Sequence, residues 1–192
     1  MSPGKPARRT PRQTELLGQL VTLMLAEGFA EFTLDDLAAR LHCSKTTLYA
    51  LAPTKHELVV QVVKELFRGA APAIKPRVDA AEDPAAKIEA YLLGVADYLA
   101  PMSRTFLDDM AAFEPTAEVY RRNTAIAADR IRELIAVGVK AGAFRSVRAD
   151  FVAEVVVVSM HEIRAGEMFA RLEMSDAEAY QELASLVLHA LR

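Results

Sequence analysis

The sequence is poor in the features on which secreted and membrane proteins depend. Cys43 is the single cysteine among 192 residues, so the chain cannot form an internal disulfide, which fits a reducing compartment. No apolar run reaches the roughly 18–20 residues that a membrane-spanning helix requires, and the first residues contain no apolar signal region. We therefore expect a cytoplasmic protein without a membrane partner.

Motifs that are typical of enzymes and cofactor sites are missing as well. The sequence contains no GxSxG, no glycine-rich phosphate loop, no HExxH and no CxxC. The four histidines are scattered without the spacing of metal ligands: His42, His56, His161 and His189. Adjacent residues on a helix point about 100° apart, so Asp108 and Asp109 are expected at the surface and not in one catalytic site. We expect no enzymatic activity, no metal site and no cofactor.

The composition that remains is that of a globular protein whose charge is unevenly distributed. Hydrophobic residues make up 52% of the chain and charged residues 26%. Residues 1–64 contain eight Lys or Arg and six Asp or Glu, whereas the remainder contains fifteen and twenty. The first 12 residues include four cations and no acid. Positive charge is thus concentrated at one end, as expected for a surface that contacts DNA.

Residues 33–58 show the pattern of a helix-turn-helix followed by a third helix. Thr33 can cap a first helix whose apolar residues recur at helical spacing. The pair His42 and Cys43 interrupts this pattern, and Ser44 can cap a second, short helix. In the second helix, Leu48 and Leu51 would point toward the protein core. The opposite face is polar and consists of Lys45, Thr46, Thr47 and Tyr49.

This polar face has the chemistry of a surface that reads the major groove. Hydroxyl groups can reach base edges, a lysine can meet guanine or phosphate, and a tyrosine hydroxyl can meet phosphate. The alternative interpretation is an ordinary solvated face on a helix capped by Ser44. The very tight turn, and the immediate start of the next helix at Pro53, Thr54 and Lys55, favour DNA binding.

These residues resemble the DNA-binding head of the TetR family of transcriptional repressors. The matching residues are Gly28-Phe29, Phe32-Thr33-Leu34, Leu37-Ala38, Ser44-Lys45, Thr47-Leu48-Tyr49, Pro53-Thr54-Lys55 and Leu58. The resemblance is specific over residues 12–64, and beyond them it rests on the number and length of the helices. It implies a sequence-specific regulator, a repressor that a small-molecule ligand releases from its operator.

The resemblance also implies roles for individual residues of the head. Contacts with phosphates are implied for Thr33, Tyr49 and Lys55. Contacts with base edges or nearby phosphates are implied for Ser44, Lys45, Thr46 and Thr47. The chain departs from the family at His42, where the family usually has glycine, and at Leu51 and Ala52, where it commonly has a histidine and an aromatic residue. These departures affect the set of contacts and leave the helix-turn-helix prediction standing.

The whole chain is predicted to be all-α, with about nine helices in two domains. Residues 1–11 form a basic tail that we expect to be disordered, residues 12–57 the helix-turn-helix domain, and residues 58–192 a helical ligand-binding and dimerisation domain. The fourth helix is expected to end between residues 68 and 71, because Gly69, Pro72 and Pro76 follow, and residues 72–84 are expected to form a linker.

The last two predicted helices, helix 8 over residues 150–171 and helix 9 after Ser175, carry more apolar surface than one small domain can bury. A homodimer formed through helices 8 and 9 would cover this surplus and would place two heads on successive major grooves of a palindromic operator. The resemblance implies the same four-helix interface. The alternative is that these faces close an internal core.

Met and aromatic residues of the middle helices can line an adaptable, largely apolar ligand pocket. The candidates, with one polar residue from helix 8, are Tyr91, Tyr98, Met102, Phe106, Met110, Phe113 and His161. Such residues at helical spacing more often form an ordinary core. The resemblance favours a pocket for an effector, which the sequence does not identify.

Two other hypotheses compete with the DNA-binding regulator. A helical adaptor that binds proteins would explain the apolar helices 8 and 9, but not the polar face from Ser44 to Tyr49 or Lys55. A redox-sensing thiol at Cys43 is conceivable because Lys45 and a helix N-terminus lie nearby. The family usually has a small apolar residue at this position, which favours a structural role for Cys43.

Overall fold

The computed structural model describes residues 9–165 and 171–192, and every regular element in these two ranges is a helix. Nine helices follow one another within the described residues: α1 Pro11–Glu27, α2 Leu34–Arg40, α3 Lys45–Tyr49, α4 Lys55–Ala80, α5 Pro84–Leu99, α6 Arg104–Ala112, α7 Glu114–Lys140, α8 Ala149–Ala165 and α9 Asp176–Leu191. The all-α prediction is confirmed. The predicted parts at residues 1–8 of the tail and 166–170 of helix 8 lie outside the described residues.

Helix α1 begins earlier than the sequence indicates. Thr10 caps it, with its side chain accepting from the Gln13 N–H, and Pro11 occupies the first turn, where a missing N–H costs nothing. Arg9 is bound to helix α4, because its guanidinium lies 2.8 Å from both Glu65 Oε2 and Gln61 Oε1. The predicted disorder of residues 1–11 therefore does not extend to residues 9–11.

Helix α4 continues through both of its prolines and ends at Ala80, so the predicted linker over residues 72–84 is wrong. An internal proline costs a helix about 3 kcal/mol, because it removes one hydrogen bond and crowds the preceding turn. The turns beyond Pro72 bury Ile74 and Val78, and each such burial contributes about 1.5–3 kcal/mol. Packing against the rest of the protein thus offsets the local penalty.

The hydrophobic core has two parts that share helix α4. The first part joins α1, α2, α3 and the start of α4 to α6. The second part joins the later turns of α4 to α5, α7, α8 and α9. Packing does not divide at residue 57, because the first part includes Leu58 to Phe67 and also Met102 to Met110. The helix-turn-helix therefore shares one core with α1, α4 and α6.

Asp109 connects α6 to the loop between α1 and α2, so the expectation that it is a surface group is wrong. Its Oδ2 accepts the backbone N–H groups of Phe29 at 2.5 Å and of Ala30 at 2.8 Å. Gly28 permits this approach, since its φ is 79° and a Cβ there would lie 2.6 Å from the same Oδ2. Asp108, by contrast, is exposed and pairs with Arg104 at 3.5 Å.

Helix α8 exposes a stripe of apolar side chains, and α9 exposes one large apolar side chain. Phe151, Val155 and Val158 are exposed on α8 at a spacing that places them on one stripe, and Leu186 is exposed on α9. Their neighbours Val156, Met160 and Leu183 are buried in the second part of the core. No helix within the described ranges is long and apolar enough to cross a bilayer.

Candidate nucleic-acid interface and ligand cleft

Helices α2 and α3 form the predicted helix-turn-helix. Thr33 caps α2 and Ser44 caps α3, each accepting an N–H from three residues further on. Leu37, Ala38 and Leu48 face the core between the helices and are buried. Ser44 Oγ also lies 2.8 Å from Thr47 Oγ1, so the two hydroxyl groups at the start of α3 are coupled.

The turn between the two helices requires a left-handed residue, and His42 supplies it with a φ of 49°. The family that the sequence resembles usually has glycine at this position, and glycine adopts such a backbone most easily. Side chains other than glycine pay about 1–2 kcal/mol in this region, and short or planar polar residues tolerate it best. Cys43 follows, partly buried, and burial raises the pKa of its thiol. A raised pKa disfavours the reactive thiolate, which argues against the redox hypothesis.

Lys45 and Thr46 stand at the exposed N-terminal end of α3. Lys45 Nζ lies 2.6 Å from Asp35 Oδ1 on α2, and this hydrogen bond raises the pKa of Lys45. Both side chains are exposed, and exposed ion pairs contribute only about 0–1 kcal/mol. Lys45 can therefore exchange this partner for a phosphate or a guanine at little cost.

The other three candidates lie in two places. Tyr49 is the last residue of α3, and Thr33 and Lys55 lie at the loop before α2. Tyr49 leaves half of its surface exposed, 50%. The Thr33 hydroxyl donates to Asp36 Oδ2 at 2.6 Å, and its hydrogen bonds lower the pKa of the Asp36 carboxyl. Lys55 Nζ donates to the Ala30 carbonyl at 2.7 Å. Thr33 and Lys55 thus hold the loop before α2 in addition to any contact with DNA.

Two glutamines that sequence reasoning missed hold the end of α3. Gln13 on α1 donates to the Ala50 carbonyl at 3.1 Å, and Gln61 on α4 donates to the Leu51 carbonyl at 2.8 Å. These contacts satisfy carbonyl groups that a short helix leaves unpaired at its C-terminus. Nothing in the local sequence marks either glutamine, because the acceptors become neighbours only in the folded chain.

A cleft of about 470 Å³ opens between α4, α5 and α7, and we refer to it as the α4–α5–α7 cleft. Tyr91 and Tyr98, two of the candidate ligand residues from the sequence, line it. The remaining lining residues are Phe67, Arg68, Ala70, Ala71, Ile74, Lys75, Val78, Val95, Leu99, Asn123, Ile126, Ala127 and Arg130. Its volume lies within the range of small-molecule sites in proteins. A second hollow of about 650 Å³ adjoins it between α4 and α7 and shares four lining residues with it, Phe67, Arg68, Asn123 and Ile126.

Known proteins resemble this chain in two different ways. No family model matches it. An uncharacterized HTH-type transcriptional regulator from Mycobacterium tuberculosis is 38% identical over 66 residues, which are 34% of this chain and 33% of the relative. The match thus spans about a third of the length of that relative.

Solved structures match nearly the whole chain. A TetR-family transcriptional regulator from Thermus thermophilus superposes with a TM-score of 0.67 at 21% identity, over 92% of this chain and 98% of the other. A TetR-family regulator from Agrobacterium tumefaciens gives 0.72 at 19% identity, over 94% and 97%.

The chain has the TetR-family fold.

In this TetR-family fold, five of the seven predicted ligand residues lie outside the α4–α5–α7 cleft. Met102, Phe106 and Met110 are buried in the first part of the core, beneath the helix-turn-helix. The Phe113 ring stacks on His56, with centroids 5.0 Å apart. His161 is exposed on α8, and its Nδ1 lies 3.1 Å from the Tyr120 hydroxyl. Helical spacing alone could not separate pocket residues from core residues.

Proposed function

We propose that the protein is a DNA-binding transcriptional regulator that reads a palindromic operator with α3. The observation that carries this proposal is the polar face of α3, which is exposed while two side chains of other helices bind the end of α3. Lys45, Thr46 and Tyr49 point away from the core, while Gln13 and Gln61 hold the end of the helix in place. A rigidly held, exposed recognition helix is what insertion into a major groove requires.

Each residue of the face has a distinct role in this proposal. Lys45, Thr46 and the Ser44–Thr47 pair reach base edges or nearby phosphates. Tyr49 reaches a phosphate with its hydroxyl, and Thr33 and Lys55 reach phosphates from the loop beside α2. Phosphate contacts position the head, and base contacts supply the sequence preference.

The protein acts as a homodimer that is formed by α8 and α9. The exposed stripe of Phe151, Val155 and Val158, with Leu186 beside it, supports this proposal because isolated proteins rarely expose such a patch. Packing the stripe against its own copy gives twofold symmetry, and twofold symmetry fits a palindromic site whose halves lie about 34–36 Å apart.

Repression ends when a small, largely apolar effector enters the α4–α5–α7 cleft. Helix α4 supports this coupling, because it forms one wall of the cleft and also carries Leu58 and Val62 in the core of the head. An effector changes DNA affinity only insofar as it binds the DNA-free conformation more tightly, and about 1–3 kcal/mol of coupling is typical.

The test is a selection of random duplex DNA with the purified full-length protein at two salt concentrations. We expect one palindromic site, with affinity that falls steeply as salt increases, because phosphate contacts displace counterions. Lys45→Ala should weaken binding to that site about tenfold or more, since a good base contact contributes about 1–3 kcal/mol. The matched control is Lys64→Ala, an exposed lysine on α4 outside the face.

The contrary outcome is a folded, dimeric protein that enriches no DNA sequence. That result would contradict the proposal of a DNA-binding regulator. It would favour the second candidate, a helical adaptor that binds protein through α8 and α9. Equal losses for Lys45→Ala and Lys64→Ala would show that α3 is not the reading helix.

A further inference from the structure

The α4–α5–α7 cleft combines an apolar body with cations at its edge. Its walls are formed mainly by aliphatic and aromatic side chains, among them Phe67, Ile74 and Ile126. It runs from Phe67 to Val78 along α4, a distance of about 16 Å at 1.5 Å per residue. Such a space suits an elongated or flat apolar group.

Three cations line the cleft, and none of the described residues that line it is acidic. The cations are Arg68, Lys75 and Arg130. Each of them pairs with an acid three or four residues away on its own helix: Glu65, Asp79 and Glu133. None of these acids lines the cleft. Surface pairs of this kind contribute about 0–1 kcal/mol, so a ligand can replace them readily.

Tyr91 provides a hydrogen-bond donor that the protein itself does not use. The side chain is partly buried, and no hydrogen bond to its hydroxyl occurs within the described part of the chain. Most hydroxyl groups in such surroundings have a partner. Tyr98, on the same helix and in the same cleft, shows the usual arrangement and donates to the Leu66 carbonyl at 2.6 Å.

Tyr91 also remains a donor throughout the physiological pH range. Burial raises the pKa of Tyr91 to about 12, and the positive charge of Arg130 opposes this shift. Arg130 lines the same cleft as Tyr91. A neutral hydroxyl and a guanidinium together form a donor set that matches an anionic group.

We propose that the α4–α5–α7 cleft binds small carboxylates with an apolar body, and that Tyr91 and Arg130 hold the carboxylate. Arg130 donates to the carboxylate through its guanidinium, and Tyr91 donates through its hydroxyl. Lys75 and Arg68 strengthen the preference for negative charge and repel cationic ligands of the same shape. The inference rests on the proposed role of this cleft as the effector site, and it adds the chemical class of the effector.

The experiment compares head groups on a constant apolar body. Decanoate, decan-1-ol and decyltrimethylammonium are titrated into the full-length protein by calorimetry, below their micelle concentrations. Naphthalene-2-carboxylate and 2-naphthylmethylammonium repeat the comparison on a flat ring. We expect at least one of the two carboxylates to bind tenfold or more tightly than its neutral or cationic counterpart. Equal binding of all head groups, a preference for the cation, or no binding of either carboxylate overturns the proposal.

Variants test which residues hold the carboxylate. Arg130→Gln and Tyr91→Phe should each weaken carboxylate binding about tenfold and leave decan-1-ol unaffected. The control is Arg132→Gln, an exposed arginine on the same helix that pairs with Asp129 and does not line the cleft. If Arg132→Gln weakens binding as much as Arg130→Gln, the carboxylate is bound only by the general positive charge, and the assigned site is wrong.

Failure of this inference differs from failure of the proposed function. Titrations without DNA decide the class of ligand, whatever the protein does to DNA. A carboxylate that binds but does not release the selected operator would leave the inference intact and would remove the effector role of the cleft. Release of the operator by a cationic or neutral compound, together with no binding of either carboxylate in the titrations, would support the regulator and contradict the inference.

Discussion

Asp109 illustrates how a single side chain joins the helix-turn-helix to the rest of the molecule. Its Oδ2 accepts two backbone N–H groups at the start of the loop between α1 and α2, and Gly28 leaves room for it. A second contact lies beside it, since the Ser103 N–H donates to the Leu25 carbonyl at 2.8 Å. The position of α6 is thereby linked to the position of the helix-turn-helix.

We expect Asp109→Ala to destabilise the protein by about 1–3 kcal/mol, because two N–H groups lose a charged acceptor and one of them belongs to the buried Phe29. Urea unfolding measures this change. Asp108→Ala is the matched control and should cost less than about 0.5 kcal/mol, since its pair with Arg104 is exposed. Equal effects of the two substitutions would contradict the role of Asp109.

At the scale of elements, the turn between α2 and α3 depends on a residue that accepts a left-handed backbone. His42 has a φ of 49°, and its side chain is exposed. The Cys43 N–H donates to the Ala38 carbonyl at 2.9 Å and closes the turn. A residue that resists this backbone would therefore shift α3 relative to α2.

We expect His42→Val to destabilise the protein by about 1–2 kcal/mol, because a β-branched side chain is strained at positive φ. His42→Asn, with a residue that tolerates this region, should stay within about 0.5 kcal/mol of the original. Urea unfolding of both variants distinguishes backbone strain from loss of the imidazole. Equal losses in the two variants would show that the imidazole is what matters.

Helix α4 shows how an element can override its local sequence. Gly69, Pro72 and Pro76 predict an end to the helix, yet α4 continues to Ala80. Ile74 and Val78 anchor its later turns in the second part of the core. The continuation builds the cleft, because these turns form one wall of the α4–α5–α7 cleft.

At the scale of the whole molecule, the apolar stripe on α8 is a surface that the single chain leaves uncovered. Phe151 is 66% exposed and Val158 is 60% exposed. Covering the stripe in a homodimer removes this surface from water, and burial of apolar surface contributes roughly 25 cal/mol per Å² before the costs of association.

We expect Val158→Lys to convert the proposed dimer into a monomer of 21.0 kDa, because a lysine in the stripe would be buried without a partner. Val137→Lys is the matched control, since Val137 on α7 is similarly exposed at 58% and lies outside the stripe. Light scattering after size-exclusion chromatography measures both masses. A dimeric Val158→Lys protein would place the interface elsewhere.

Local interactions along the chain determined most of the helices and the exposed polar face of α3. The caps at Thr33, Ser44, Ser103 and Ser175 act within three residues, and apolar periodicity reports which face of a helix is buried. The DNA-binding assignments at Lys45, Thr46 and Tyr49 stay predictions, but their exposure on a single short helix follows from that local pattern.

Only the tertiary structure decided which residues meet across helices. The acceptor role of Asp109 spans about eighty residues, and the support of α3 by Gln13 spans thirty-seven. The cleft likewise joins Tyr91 to Arg130, whereas Met102, Phe106 and Met110 show the same helical spacing and became core. The spacing of apolar residues along the chain determines which side of a helix is buried. The neighbouring helices determine whether that side meets a packed core or an open cleft.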